Sequence, residues 1–421
     1  MTRERGGNMR KVRRLLLGLA TAGVLGGLAA TVPAAADSSS GQLDALDPAR
    51  RVAVGLERLG FCLASAALQT APDRNVLIAP TGAGRILAMI GAGSPLPVRQ
   101  KIAALLAWPE FLGGSLAFGV SLDRARLSAD ASPDVTLRLA TGIWHDRNHE
   151  PRTYFALHAG AGLQAMDPAD PATTDRINAW ISDRTDGMIA EAITDIPAET
   201  TILMADVLAF SGAWSTPFDP EETRRAAFAS GTPLATEVAM MQSRRQVLPH
   251  RRDAHGDWLT LPYGDGRFEA VLVQPTAFEL GSFGRMACET VGGLTVPVAA
   301  TDSHSLTLRL PRMKLDATAS LDQLLHQARL GDVLDDPLLG SSMLTPATRP
   351  GPIRQQVALT VDEKGSKVAA ATIAIGTRAG AEPVELNFDR PFVLMIREQT
   401  TGLPLLIGMI NRPGDASGTD E

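Results

Sequence analysis

Residues 362–383 read DEKGSKVAAATIAIGTRAGAEP. From Val368 to Ile375 every residue is small, β-branched or aliphatic, and neither charge nor proline interrupts the run. Such a window is β-prone and nearly neutral, and an exposed edge of this kind is an aggregation hazard. A chain that carries it must use it as a strand or hold it where it can become one. Read with a period of two, one face presents Ser366, Val368, Ala370, Thr372, Ala374 and Gly376. The other presents Lys367, Ala369, Ala371, Ile373, Ile375 and Thr377. The first face is uncharged and can enter the middle of a sheet without burying an ion. The strand-like run Val357–Val361 lies directly before it. That order fits a loop able to become a strand better than a permanent core strand.

The rest of the 421 residues read as α+β. An amphipathic helical pattern covers 48–70, with Val52, Leu56, Leu59, Leu63 and Ala67 at helical spacing after Asp47-Pro48. A second helix starts at Pro80. Strands are expected at Thr136–Trp144, Ile202–Phe210, Leu306–Leu310 and Val357–Val361. Two hairpins are expected, one turning at Gly264-Asp265-Gly266 and one at Gln399–Gly402. Helices dominate the first third and strands the rest, without βαβ alternation, which favours α+β over a doubly wound sheet. No period of 20–50 residues repeats. One domain is expected over 47–413, after a polar leader at 37–46 and before a polar tail at 414–421.

Met1–Ala36 has the form of an export signal. A basic stretch ends at Arg14, an apolar run covers Leu15–Ala30, and Ala34-Ala35-Ala36 offers a cleavage site. No later apolar run is expected to span a bilayer, so the mature chain is expected off the membrane, in an extracellular or periplasmic compartment. The net charge of −6 becomes −11 without the leader, whose six basic residues and one acid leave 34 basic and 45 acidic residues. That balance does not suit nucleic-acid backbone binding, which draws on Lys and Arg. The two cysteines, Cys62 and Cys288, could form one disulfide in an oxidising compartment. Cys62 lies in a helical pattern where a buried thiol is ordinary, and two unpaired cysteines are the expectation.

Enzyme chemistry finds no footing. His145, His149 and Glu150 stand together in WHDRNHE, but the segment is a strand end with turn residues, not a helix face. No metal and no cofactor are expected. Nucleophile elbows, phosphate loops and dinucleotide fingerprints are missing from the sequence. Arg244-Arg245 with His250-Arg251-Arg252 reads as a solvated loop.

Asp362-Glu363-Lys364-Gly365-Ser366 followed by Val368-Ala369-Ala370-Ala371-Thr372 resembles the hinge of the serpin family. Other segments resemble the same family in the same order. They include Asn75-Val76-Leu77-Ile78-Ala79-Pro80, Ile177-Asn178-Ala179-Trp180-Ile181, and Asp206 through Phe210-Ser211-Gly212-Ala213-Trp214. Pro217-Phe218-Asp219-Pro220 with Thr223, Met240-Met241, Leu310-Pro311-Arg312-Met313-Lys314-Leu315 and Asn387-Phe388-Asp389-Arg390-Pro391-Phe392 follow.

The resemblance implies a fold of three β-sheets with about eight or nine helices and an exposed reactive loop at about 363–383. It implies a monomeric suicide inhibitor, not an enzyme. Its partner is a serine protease held as a covalent acyl complex while the cleaved loop inserts into the central sheet. The hinge is Glu363, Gly365, Ser366, Val368, Ala369, Ala370, Ala371 and Thr372. Counting from Glu363 places the scissile bond at Ala379–Gly380, and counting back from Phe388 places it at Gly380–Ala381. Arg378–Ala379 also stands. The sheet-opening region is Ala79, Pro80, Asp206, Trp214 and Gln355. There the family's two serines, asparagine and histidine correspond to Ala79, Gly82, Asp206 and Gln355. That rebuilt cluster suggests an Asp206–Gln355 hydrogen bond, and it leaves open a non-inhibitory binding protein whose loop is only a substrate.

Overall fold

A computed structural model of the chain describes residues 48–106, 108, 134–230, 235–276, 280–290, 303–363 and 384–414. The first part runs α1 (Pro48–Thr70), β1 (Val76–Ile78), α2 (Pro80–Ala92), α3 (Leu96–Leu105), β2 (Val135–Asp146) and β3 (Glu150–Pro151). Then come α4 (Thr153–Ala159), β4 (Leu163–Met166), α5 (Ala172–Arg184), β5 (Ile202–Gly212), β6 (Arg224–Phe228) and β7 (Thr236–Arg252). The hairpin β8 (Gly256–Tyr263) and β9 (Phe268–Pro275) leads to α6 (Leu280–Glu289), β10 (Ser303–Pro311), β11 (Met313–Ser320) and α7 (Leu321–Gln327). The chain closes with β12 (Leu344–Thr345), β13 (Ile353–Val361), β14 (Val384–Asn387), β15 (Phe392–Glu398) and β16 (Pro404–Ile410).

Five strands form one sheet in the order β11-β13-β5-β2-β4. Its centre is β5, buried at every position but Ser211. Being covered on both faces explains why its sequence is apolar on both sides rather than alternating, with Asp206 the one charged residue in it. Ile177 and Ile181 of α5 cover one face, against Trp144, Leu203, Ala205, Val207 and Ala209. Leu208 and Phe210 face the opposite core, with Trp214, Tyr263 and Phe268. The other strands run β1-β16-β15-β9-β8-β7-β10-β14, with β6 on β7. The path divides at β7, which pairs with β10 through Met240–Pro249 and with β8 through His250–Arg252. The molecule thus has three main sheets, as expected, beside the short pair β12-β3.

Three expectations are corrected. Arg244, Arg245, His250, Arg251 and Arg252 lie in strand β7, not in a loop. The register against β10 shifts between Leu306 and Leu308, and Arg245 has φ 55° there, so the pair is bulged out of an otherwise regular ladder. Glu222, Asp253 and Asp257 offset three of these arginines. The cysteines are joined: Cys62 on α1 and Cys288 on α6 form a disulfide with Cα atoms 4.7 Å apart. Finally, Ala49–Thr70 is long and apolar enough to cross a membrane by length and composition, yet 83% of that window is buried inside the fold. Val52, Leu56, Leu59 and Leu63 pack there against the sheet residues Val393, Met395 and Ile407.

Candidate functional site

Within the five-stranded sheet β5 and β13 are parallel neighbours. They pair directly from Ile353↔Met204 to Leu359↔Phe210. β13 joins β11 antiparallel, and β5 joins β2 antiparallel. The seam between β5 and β13 is therefore a parallel pairing within antiparallel surroundings, slightly less stable per residue than its neighbours.

Asp206 sits in the middle of this seam and is fully buried. The Thr141 hydroxyl on β2 donates to its Oδ1 at 2.9 Å. The Gln355 amide on β13 donates to its Oδ2 at 3.2 Å. Gln355 also donates to the Ala79 carbonyl at 2.9 Å and accepts from the Ala79 amide at 2.8 Å. One carboxyl and one amide thereby tie β2, β5, β13 and the start of α2 together. Arg85 on α2 donates to the Thr141 hydroxyl at 3.3 Å. Burial pushes the Asp206 carboxyl up to about 6, against the pull of Arg85 and the two hydrogen bonds. Burial likewise draws Arg85 below its ordinary value, and Asp206 resists that. The sequence singled out Ala79, Asp206 and Gln355 but not Arg85 or Thr141. Arg85 was detectable, since it stands three residues after Gly82 on one helix face.

Gly82 completes the pocket. A Cβ at this position would stand 1.6 Å from Asp206 Oδ2. Gly82→Ala must displace the carboxyl, and overpacking of this kind costs about 1–3 kcal/mol. The thermal midpoint of Gly82→Ala is expected to fall, and a second substitution, Asp206→Ala, to recover part of the loss. A midpoint unchanged from the parent would mean that the carboxyl has room to give way.

Trp214 does not join this group. It lies beyond the far end of β5, stacked on Tyr263 with ring centroids 4.3 Å apart. Its Nε1 donates to the Asp362 carbonyl at 2.9 Å, just past the end of β13. The sheet-opening residues named from the sequence thus fall into two places, Ala79, Pro80, Asp206 and Gln355 at mid-sheet and Trp214 at the strand ends. At the second place Glu363 is held from three directions. Arg312 donates from Nη2 to Oε1 at 2.5 Å and from Nε to Oε2 at 3.1 Å. Thr223 donates to Oε1 at 2.6 Å, and the Phe218 amide donates to the Glu363 carbonyl at 3.0 Å. Burial alone would raise the Glu363 carboxyl, but the Arg312 and Thr223 hydrogen bonds outweigh it and hold it below the usual range.

The next residues along the chain, Gly365, Ser366, Val368, Ala369, Ala370, Ala371, Thr372, Arg378, Ala379 and Gly380, lie outside the described residues. Val384 resumes the chain on β14, parallel to β10. Two fixed points thus flank the segment, Glu363 beside Arg312 and Val384 beside Leu306. In the His145–Glu150 grouping, His145 is the penultimate residue of β2, and His149 Nδ1 lies 3.1 Å from Asp146 Oδ2.

The family model described as "Serpin (serine protease inhibitor)" matches residues 55–413. The chain belongs to the serpin family. A serine protease inhibitor of Cyanea capillata is 26% identical over 375 residues, covering 85% of this chain and 97% of that protein. Alpha-2-antiplasmin of Bos taurus is 26% identical over 387 residues, covering 86% of this chain and 73% of that one. Arabidopsis AtSerpin1 in its native stressed conformation superposes with a TM-score of 0.75 at 20% identity, over 87% of this chain and 99% of that one. Human thyroxine-binding globulin has the same fold, with a TM-score of 0.75 at 18% identity over 87% of this chain and 100% of that one. The serpins named as inhibitors here act on proteases and are not enzymes themselves.

Proposed function

We propose that the chain is an exported inhibitor of serine endopeptidases that traps the acyl-enzyme by inserting its cleaved loop between β5 and β13. The observation that carries this reading is the parallel seam, with residues 364–383 starting three residues after β13 ends. A strand that turns back after Val361 runs antiparallel to β13. Placed in the seam, it is antiparallel to β5 as well. One parallel pairing is then exchanged for two antiparallel ones, which favours insertion. The face Ser366, Val368, Ala370, Thr372, Ala374 and Gly376 buries no charge in doing so. Attack at Arg378, Ala379 or Gly380 frees the segment from β14, and the acylated protease travels with it. A small residue before the bond suits an elastase- or subtilisin-like pocket, and Arg378 suits a pocket with an acid at its base.

Export rests on the 1–36 leader and agrees with the Cys62–Cys288 bridge, since disulfides persist in oxidising compartments. The acting species is a monomer without a cofactor. A second reading, a serpin-fold binding protein whose loop is only a substrate, draws on the altered positions Ala79, Gly82, Asp206 and Gln355.

Residues 37–421 incubated with elastase-, subtilisin-, trypsin- and chymotrypsin-like proteases test the first reading. A complex stable to denaturing electrophoresis is expected, and the mass of the released C-terminal peptide identifies the bond. Clean cleavage with full protease activity throughout would favour the second reading.

A further inference from the structure

Asp206 is an ionisable group where the fold could have used a neutral one. Its two oxygens reach the strands on either side at matched register, Thr141↔Asp206 on β2 and Gln355↔Asp206 on β13. Behind it Gly82 leaves no space, because even one added carbon would overlap Oδ2. The groups facing it are Gly82 and Arg85 from α2, Thr141 from β2 and Gln355 from β13. Arg85 is the one charged group acting on it among the described residues, and it reaches the carboxyl by way of the Thr141 hydroxyl. When β5 and β13 part, Gln355 leaves with β13 and water can reach the carboxyl. Opening the seam therefore moves Asp206 from a dry, crowded site to a wet one, and its proton affinity must change with it.

We propose that Asp206 is a proton-controlled latch on the β5–β13 seam, shut when the carboxyl is protonated and loaded for opening when it is ionised. The proposal rests on the reading that this seam opens in the inhibitory step. A protonated carboxyl still satisfies both neighbours, since the Thr141 hydroxyl can turn and accept while Gln355 continues to donate. The direction follows from linkage. In the closed sheet the carboxyl titrates at about 6, whereas a solvated one titrates near 3.8. The closed state therefore binds more protons between those values, and its stability relative to the open state falls as pH rises through that window. The opening equilibrium should rise roughly tenfold per pH unit from about pH 4 to about pH 6, on the order of 100-fold in total, and be flat above.

Hydrogen exchange of the β5 and β13 amides in residues 37–421, corrected for intrinsic exchange and followed from pH 4.5 to 7.5, reads this opening directly. The expected result is a loss of protection that levels off above about pH 6 and is missing in Asp206→Asn. Thr141→Val, which removes a donor to the ionised form, should move the bend to higher pH and serves where Asp206→Asn does not fold. Carboxyl titration by infrared spectroscopy supplies a check that needs no variant folded at the site: a protonated, buried band that disappears near pH 6 is expected. A wild-type profile parallel to that of Asp206→Asn would overturn the latch, as would the lack of any buried carboxyl band titrating between about pH 5 and pH 7, below the range of the buried Glu57, which burial pushes up to about 8. The two readings fail separately. pH-linked protection without any protease complex retains the latch and removes the inhibitor, whereas a stable complex with pH-independent protection does the reverse.

Discussion

Cleavage within Thr377–Ala381 is expected to raise the thermal midpoint of the protein by roughly 10 °C or more. A gain of about 5 kcal/mol is sufficient, at the 2–4 °C per kcal/mol typical of chains of 150–250 residues. The gain comes from the exchange at the seam. Seven residue pairs now join β5 and β13 in parallel. An inserted strand gives each of them an antiparallel partner and buries Val368, Ala370, Thr372 and Ala374. The decisive variant is Thr372→Arg, which puts a cation on the face that must enter the sheet. Leaving a buried charge without a partner costs several kcal/mol. At 1.36 kcal/mol per tenfold in rate, insertion slows by on the order of 100-fold or more. Deacylation then overtakes insertion. The variant should be cut by the same protease at the same bond, yet yield no covalent complex and no rise in midpoint. If cleaved wild type melts where the intact chain melts, loop insertion is wrong. If Thr372→Arg inhibits as well as its parent, the assignment of the inward face is wrong.

Local pattern made much of this architecture legible. The apolar run Ile202–Phe210 is the buried centre of a sheet, and Leu259–Pro262 with Phe268–Gln274 is the hairpin β8–β9. Each of these is decided by a few neighbouring residues, so their sequence period suffices. What escaped depends on tertiary placement. Met313–Ser320 alternates apolar and polar residues weakly, and its role as an edge strand is set by pairing with β13. Arg244 and Arg245 read as a loop because a bulge within the ladder has the composition of a turn. The Asp206–Gln355 contact was foreseeable, since both stand at the positions of the family's polar cluster. Arg85 could have been found from its place one helical turn after Gly82, but Thr141 could not, because its part depends on Asp206 replacing a neutral residue. Gly82 shows the same dependence from the other side. Its missing side chain carries meaning only once the carboxyl is known to occupy that space.

The Cys62–Cys288 bridge gives the second large effect. It closes a loop of 226 residues, spanning most of the helices and the first half of the strands. In the chain-entropy model such a loop is worth about 5 kcal/mol, so Cys62→Ala with Cys288→Ala should lower the thermal midpoint by roughly 10 °C or more. The native contacts around it are already in place: Phe61 meets Phe283 edge-on with centroids 6.2 Å apart, and Arg58 Nε donates to the Cys288 carbonyl at 3.1 Å. The loss therefore arises in the unfolded chain, which gains freedom, more than in the folded one. A sharper consequence follows. On the proposed inhibitory reading the loop inserts between β5 and β13, whereas the bridge ties α1 to α6 away from that seam. Removing it should lower the intact and the cleaved forms alike and leave the gap between their midpoints unchanged. Reduction of the wild-type protein should reproduce the double alanine variant. A midpoint insensitive to reduction would show that the bridge does not restrict the unfolded chain enough to add to the stability that α1–α6 packing already supplies. A gap that narrows would show that the bridge reaches the seam, and that the gain on cleavage depends on the crosslink as well as on the parallel pairing.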